Sequence, residues 1–323
     1  MTSRARFLGA AAAAATSAAF PTALFAQSRK TLGIGYVPST LFAPLFVAAE
    51  RGYLREAGFE PNLTPIVAGQ DSMALVAQGQ LDVVAAALSA AFFNAVNRGL
   101  DVKFVAATAY QPRGGRPASA LMVRQDLYDG GLRSPAGLRG RKIGWNGGAG
   151  AASAYYVARI LRPANLHVRD VDPINIAQPD QEAALERKAI DAVFAASPLT
   201  EVFAQRKLAQ IVGQPPAGIA ASGVFFGATL LANVENARAV MGALRRAAAD
   251  IAGSGWFSQT NLDAYAKYTK QTIPVLKAAP RYDVKPDLRI DEGTLEDMQR
   301  EFVDQGILTY KQPLNEVRLV ARF

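Results

Sequence analysis

The chain has no cysteine and a single histidine, His167, among its 323 residues. The first absence removes disulfide scaffolds, zinc–thiolate sites, iron–sulfur clusters, thiol nucleophiles and cysteine-linked lipid anchors. The second removes multi-histidine metal centres. Long runs of like charge are also missing: no basic cluster exceeds a pair such as Arg187-Lys188 or Arg245-Arg246. Nucleic-acid binders concentrate basic charge on a stripe or tail, so no nucleic-acid partner is expected. After the first 26 residues, no stretch is long and apolar enough to span a bilayer.

What is present is a chain that is 50% hydrophobic and 19% charged, apolar enough to fold and long enough for two domains. Residues 1–26 begin with Arg4 and Arg6, continue through an apolar stretch, break at Pro21 and end in Ala23-Leu24-Phe25-Ala26. That is the pattern of an export signal cleaved near Ala26. Ala5 separates the two arginines, which favours general secretion over a twin-arginine route. Without a cysteine to lipidate, the mature protein is expected free in a periplasm. Of the 35 basic residues, Arg4 and Arg6 leave with the signal; 33 remain against 27 acidic, a net charge of +6. Charge spread in this way can steer anions toward a cleft.

The rest of the chain alternates strand and helix signals, which predicts a parallel sheet. Strands are expected at 32–37, 63–67, 81–86 and 102–106. Pro44 suits the first turn of a helix reaching Leu54, and Gly58 suits its stop. Asp71 or Ser72 is placed to cap a helix carrying Met73, Val76 and Ala77 on one face. The pattern then returns at an offset of 109 residues: Ile143 for Ile34, Asp191 for Asp82, Asp180 for Asp71. A common offset predicts two lobes built alike. A strand over 224–231 and helices over 237–251, 262–269, 273–279 and 293–305 follow. The Pro- and Gly-rich segments 111–116 and 214–219 are read as crossovers. Residues 27–112 with 217–323 then make lobe 1, and 113–216 make lobe 2.

The runs Gly33-Ile34-Gly35-Tyr36, Pro44 to Leu54, Gly79-Gln80-Leu81-Asp82, Leu138 to Gly144 and Ala189-Ile190-Asp191 carry a resemblance. Over roughly residues 32–310 the chain resembles the periplasmic solute-binding proteins of sulfonate, taurine and nitrate importers. That family extends to relatives that bind thiamine-precursor pyrimidines. The resemblance implies two doubly wound α/β lobes joined by a two-strand hinge, the type II periplasmic binding-protein arrangement. It implies a protein, expected to be a monomer, that closes on a small molecule and hands it to an ABC permease, with no cofactor and no catalysis. Sulfonates, aromatic carboxylates, pyrimidines and other small organic acids all fit, and the helix N-termini at the cleft and the basic mature chain point to an organic anion.

Ligands of doubly wound sheets sit beyond the carboxyl ends of the strands. In lobe 1 this points to Ser39, Thr40 and Phe42 after the first strand, Gln70 before a helix, Ser89 after the third strand, and Tyr110 with Gln111 after the fourth. Phe42 serves equally as core packing, and Asp71 beside Gln70 as a plain helix cap. In lobe 2 the loop Gly147, Gly148, Ala149, Gly150 and Ser153 opens a helix, where small residues let backbone approach a ligand and the N-terminus favours negative charge. The same loop approximates a dinucleotide fingerprint with Asp170 or Asp172 beyond it, a reading that export disfavours. The resemblance implies a Gly-Ser or Gly-Thr pair for oxyanions in this loop, where the chain has Gly-Ala. It also implies an aromatic-x-Glu-Pro sequence where the chain has Ala195-Ala196-Ser197-Pro198. Both departures predict a roomier, less charged pocket, with Ser197 and Phe225 as further candidates. His167, in a polar connection, reads as a surface residue. Two alternatives stay open: an enzyme on the same scaffold, akin to the pyrimidine synthases, and a sensory periplasmic protein.

Overall fold

The computed structural model describes residues 29–66 and 69–323, with backbone alone at 69–71; the expected export signal lies outside the described residues. Two five-stranded sheets organise the chain. The first runs β2 (Phe59–Pro65), β1 (Lys30–Tyr36), β3 (Val83–Ala87), β10 (Ser222–Gly227), β4 (Val102–Ala107). The second runs β7 (Asp172–Asn175), β6 (Lys142–Trp145), β8 (Ala192–Ala196), β5 (Ser119–Arg124), β9 (Ala209–Gly213). In each sheet four strands run parallel, and one, β10 or β5, is antiparallel to both its neighbours. Those antiparallel strands are the first ones laid down after each passage between sheets. Helices flank both sheets, giving the two α/β lobes that the strand–helix rhythm predicted.

The 109-residue repeat is visible atom by atom. Ile34 pairs with Val83 in the first sheet, and Ile143 with Ala192 in the second. The Asp82 carboxylate accepts from the Gly33 N–H at 2.9 Å, and the Asp191 carboxylate accepts from the Lys142 N–H at 3.1 Å. Each aspartate therefore fastens the start of its parallel strand to its neighbour, which is why the motif recurs. Asp180, the third member of the repeat, stands at the N-cap of the helix Gln181–Glu186 but makes no side-chain cap bond there.

Several local readings shift. The helix expected to reach Leu54 is two, Ala43–Glu50 and Tyr53–Glu56, because Gly52 takes a left-handed φ of 76° between them. The strand expected to run to residue 231 ends at Gly227 and gives way to the helix Ala228–Leu231. Strand β2 starts four residues earlier than its apolar run, its alternate residues exposed on the sheet edge. Strands β5, β7 and β9 lacked a clear sequence signal, and β5 matters most: it is the buried antiparallel partner of β8.

The lobes are linked along 108–118 and 214–221. The two segments bond to each other, Gln111 N–H to the Ile219 carbonyl and Gly218 N–H to the Gln111 carbonyl, both at 2.9 Å. One apolar cluster runs through both lobes, joining Phe92, Phe93 and Phe225 of the first to Ile143, Trp145 and Tyr155 of the second. The helix Glu292–Asp304 adds Met298 and Phe302 to it. On that helix Asp297 accepts from Tyr155 Oη (2.8 Å), Arg159 (2.9 Å) and Arg162 (2.8 Å) of the helix Ala152–Leu161 and its end. Glu301 takes a second nitrogen of Arg162 at 2.9 Å.

Burial pushes the Asp297 carboxyl upward, but the Arg162 and Tyr155 hydrogen bonds and the two guanidinium charges outweigh it and hold the group below its ordinary value. A depressed folded value contributes stability above the unfolded value, and that contribution is lost as pH falls through the folded one. Asp297→Asn should therefore lower stability by about 2 kcal/mol at neutral pH, the scale of hydrogen bonds to charged groups. The gap between variant and parent should close below pH 3.8, the ordinary carboxylate value. Denaturant unfolding across pH checks this; a gap that persists in acid would contradict it.

Candidate functional site: an uncharged cleft between the lobes

The carboxyl ends of β1 and β3 face those of β6 and β8 across a cavity of about 240 Å³. From the first lobe come Val37, Ser39, Leu41, Phe42, Ala87, Leu88, Ser89 and Ser222; from the second, Asn146, Gly147, Ala151, Ala152, Ser153, Tyr156, Gln178, Gln181, Phe194, Ala195 and Ala196. The linking segments add Gln111 and Ala221, the start of β5 adds Ser119, and the C-terminal part adds Tyr282. A cavity of about 150 Å³ holds benzene, so this one has room for a substituted ring. Tyr156 and Phe194 stack on its wall with centroids 5.8 Å apart.

Local sequence explains the placement. Ser39 accepts from the Leu41 N–H at 3.3 Å, turning the chain after β1 so that Phe42 packs at the cleft floor, 1% exposed. Ser89 is the N-cap of the helix Ala90–Asn97 yet makes no cap bond. In the second lobe Gly147 and Gly148 take φ values of 91° and 70°, which only glycine adopts without strain. That turn lets the Asn175 side chain accept from the Gly147 N–H (3.1 Å), and the Trp145 indole N–H bonds the Gly148 carbonyl at 3.0 Å. The lobes meet just beyond it: the Ala90 N–H donates to the Gly150 carbonyl at 2.9 Å, and Ser89 bridges Ala151.

Of the residues expected at the site, Ser39, Phe42, Ser89, Gln111, Gly147 and Ser153 line the cavity. Thr40, Gly148, Ala149 and Gly150 do not; Gly150 instead carries the contact between lobes. Tyr110 turns away: its hydroxyl donates to the Arg289 carbonyl and Lys285 covers its ring at 3.9 Å. Phe225 belongs to the core, 4.9 Å from Phe92 and 5.1 Å from Phe104. Ser197 stands just past the wall formed by Ala195 and Ala196, its N–H held by the Ala118 carbonyl. The side chain of Gln70 lies outside the described residues. His167 is exposed, and its backbone N–H donates to Asp170 at 2.8 Å. Tyr156, Gln178, Gln181, Phe194, Ser222 and Tyr282 went unread. Tyr156 had a signal, being three residues after Ser153 on the same helix face.

The described lining holds no Lys, Arg, His, Asp or Glu. Its tyrosines stay protonated: burial pushes both the Tyr156 and the Tyr282 hydroxyls well above the ordinary phenol range. The Tyr156 hydroxyl accepts from the Ala221 N–H at 3.1 Å, tying the second lobe to the link between lobes. Among described residues no group of three or more metal-ligating side chains is gathered, and no helix is long and apolar enough to cross a membrane.

In structure the chain is similar to the alkanesulfonate-binding protein SsuA of Xanthomonas axonopodis pv. citri, bound to MOPS, with a TM-score of 0.70 at 18% identity over 92% of this chain and 99% of that one. It is similar to the periplasmic nitrate-binding protein NrtA of Synechocystis PCC 6803, with a TM-score of 0.64 at 12% identity over 87% and 83%. It also matches the desulfurization enzyme DSZB, with a TM-score of 0.59 at 16% identity over 91% and 97%. At these identities the likeness establishes the fold, which binding proteins and an enzyme share. No curated protein matches the sequence. Residues 39–254, two thirds of the chain, match the family described as NMT1/THI5 like, and the chain belongs to that family.

Proposed function

We propose that this protein is the solute-capturing component of an ABC importer, exported on the signal at residues 1–26 and working as a periplasmic monomer. Lobe 1 (27–112 with 217–323) and lobe 2 (113–216) close on a small organic solute about the segments 108–118 and 214–221. A membrane permease then reads the closed form. The observation that carries this reading is the interlobe cavity, whose described wall is made of hydroxyls, amides and apolar side chains, with no Lys, Arg, His, Asp or Glu among its described residues. A serine hydroxyl with no base beside it is a weak nucleophile, and general acid–base catalysis needs a titratable group near the operating pH. Such a wall is suited to capture, where binding stabilises one of two lobe arrangements. The anionic character expected from the sequence has no cationic side chain in this wall to support it.

Thermal denaturation of residues 27–323 against small organic solutes tests the proposal. A solute at a hundred times its dissociation constant should stabilise the fold by about 2.7 kcal/mol, and should be recovered unchanged. Consumption of the solute would move the assignment to an enzyme.

A further inference from the structure

The helix Glu292–Asp304 belongs to the C-terminal part of the chain and lies across one helix of each lobe. Resting on the reading of a cleft that closes on a solute, we propose that Asp297 and Glu301 are positioning residues of that site. They latch the lobe 2 helix Ala152–Leu161, and with it one wall of the cleft, in the closed arrangement. Toward lobe 1 the contact is uncharged. Phe302 meets Phe93 edge to face with ring centroids 6.4 Å apart, and the Thr309 N–H, just beyond the helix, donates to the Asn94 side chain at 2.9 Å. Phe93 and Asn94 stand on the helix Ala90–Asn97. Toward lobe 2 the contact is ionic. Asp297 Oδ2 accepts from Tyr155 and Arg159, and Oδ1 accepts from Arg162, whose other terminal nitrogen reaches Glu301. Glu301 is itself only 8% exposed.

The two halves of this contact differ in what they tolerate. Apolar packing is non-directional and survives a small tilt. Charge-assisted hydrogen bonds that share one carboxylate and one guanidinium fork hold a single geometry. Tilting the lobe 2 helix against Glu292–Asp304 would strain all four bonds together and strip a buried carboxylate of its charged partner, which is costly. That lobe 2 helix is ten residues long and unbroken. Ala152, Ser153 and Tyr156 on it line the cavity, while Tyr155 and Arg159 belong to the network. A rigid helix moves as one piece, so the network sets where the cleft wall stands without touching the solute. The helix Ala90–Asn97 and the loop leading into Ala152–Leu161 meet at the bond from the Ala90 N–H to the Gly150 carbonyl. The latch therefore spans the two helices beside the contact between lobes, and the closed population should depend on it.

With no native cysteine, two can be introduced and spin-labelled cleanly. Glu235→Cys and Arg187→Cys put one label on an exposed position of each lobe. Double electron–electron resonance then reads the distance between them in residues 27–323, unfolded and refolded to remove any carried solute. The parent should show one dominant distance. Asp297→Ala should add a second, the closed-to-open ratio falling about tenfold, as expected when charge-assisted hydrogen bonds across a contact are lost. Arg162→Gln removes a side chain that is 44% exposed, so the fold should tolerate it, and it should shift the ratio the same way. The two changes together should shift it by less than the sum of their separate effects, because they break one network. Gly150→Val, which obstructs the contact between lobes directly, serves as the control for opening. If it moves the distances while Asp297→Ala and Arg162→Gln lose only unfolding stability, the network serves folding alone and the latch is overturned, with the closing cleft intact. If none of the three moves them, the lobes form one rigid body, and the closing cleft and the latch fall together.

Discussion

Gly150→Val should weaken solute binding by about ten- to a hundredfold, the cost of forcing one to three kcal/mol of overpacking into the bound form. A Cβ at Gly150 would lie 2.9 Å from the Ala90 Cβ and 3.4 Å from Ile307 Cγ2. Ala90 cannot yield by rotating a side chain, because its Cβ is fixed to the first turn of its helix. The backbone of Gly150 is not left-handed, so the valine meets its clash only where the lobes touch. Each lobe should fold, and the penalty should fall on closure, lowering the fraction of protein able to hold solute. Calorimetric titration reads the affinity and denaturant unfolding reads the fold. Parental affinity in the variant would show that this contact does not govern closure.

Gly223→Ala should be the most damaging single methyl in the protein. Gly223 lies on β10, the antiparallel strand between β3 and β4, beside an irregularity in the β4 register. Its Cβ would overlap the Ala106 carbonyl oxygen and stand 2.5 Å from Phe104 Cε2. The first obstacle is backbone of a neighbouring strand, and the second is a ring wedged against Phe225, so neither can move cheaply. A loss of about 3 kcal/mol or more is expected, at the high end for one substitution. Ser222 and the cleft wall sit next to the same residue, so solute binding should fall with stability. Unfolding within about 0.5 kcal/mol of the parent, the range of an ordinary surface change, would contradict this packing.

The fold was legible because its signals are local and repeated. Ile34-Gly35 and Ile143-Gly144 are buried parallel strands followed by a turn, and Asp82 and Asp191 fasten them in the same way, so one pattern appears twice in the chain. Strand β5 escaped because nothing near it in sequence marks it: Ala120 to Val123 is an apolar run whose partners, β8 and β9, lie some 70 and 90 residues away. The cleft was legible in part for the same reason. Loops directly after strands, such as Ser39, Ser89 and Gly147, announce themselves by position. Gln181 and Tyr282 reach the cavity from elements whose orientation is set by packing. Ser222 was missed because β10 begins two residues before its apolar run. Phe225 was misjudged because alternation along a strand says that one of Phe225 and Phe226 faces each way, and both ways proved to be core.

The central claim is that a small solute is held, unchanged, in the cavity between the lobes. A crystal structure of residues 27–323 with the most stabilising solute, paired with mass spectrometry of the compound extracted from the same crystals, tests it most directly. The account predicts the intact compound between Tyr156, Gln181 and Ser222 with the Gly150–Ala90 contact closed. A chemically altered compound, or an intact one bound outside the cleft, would contradict it.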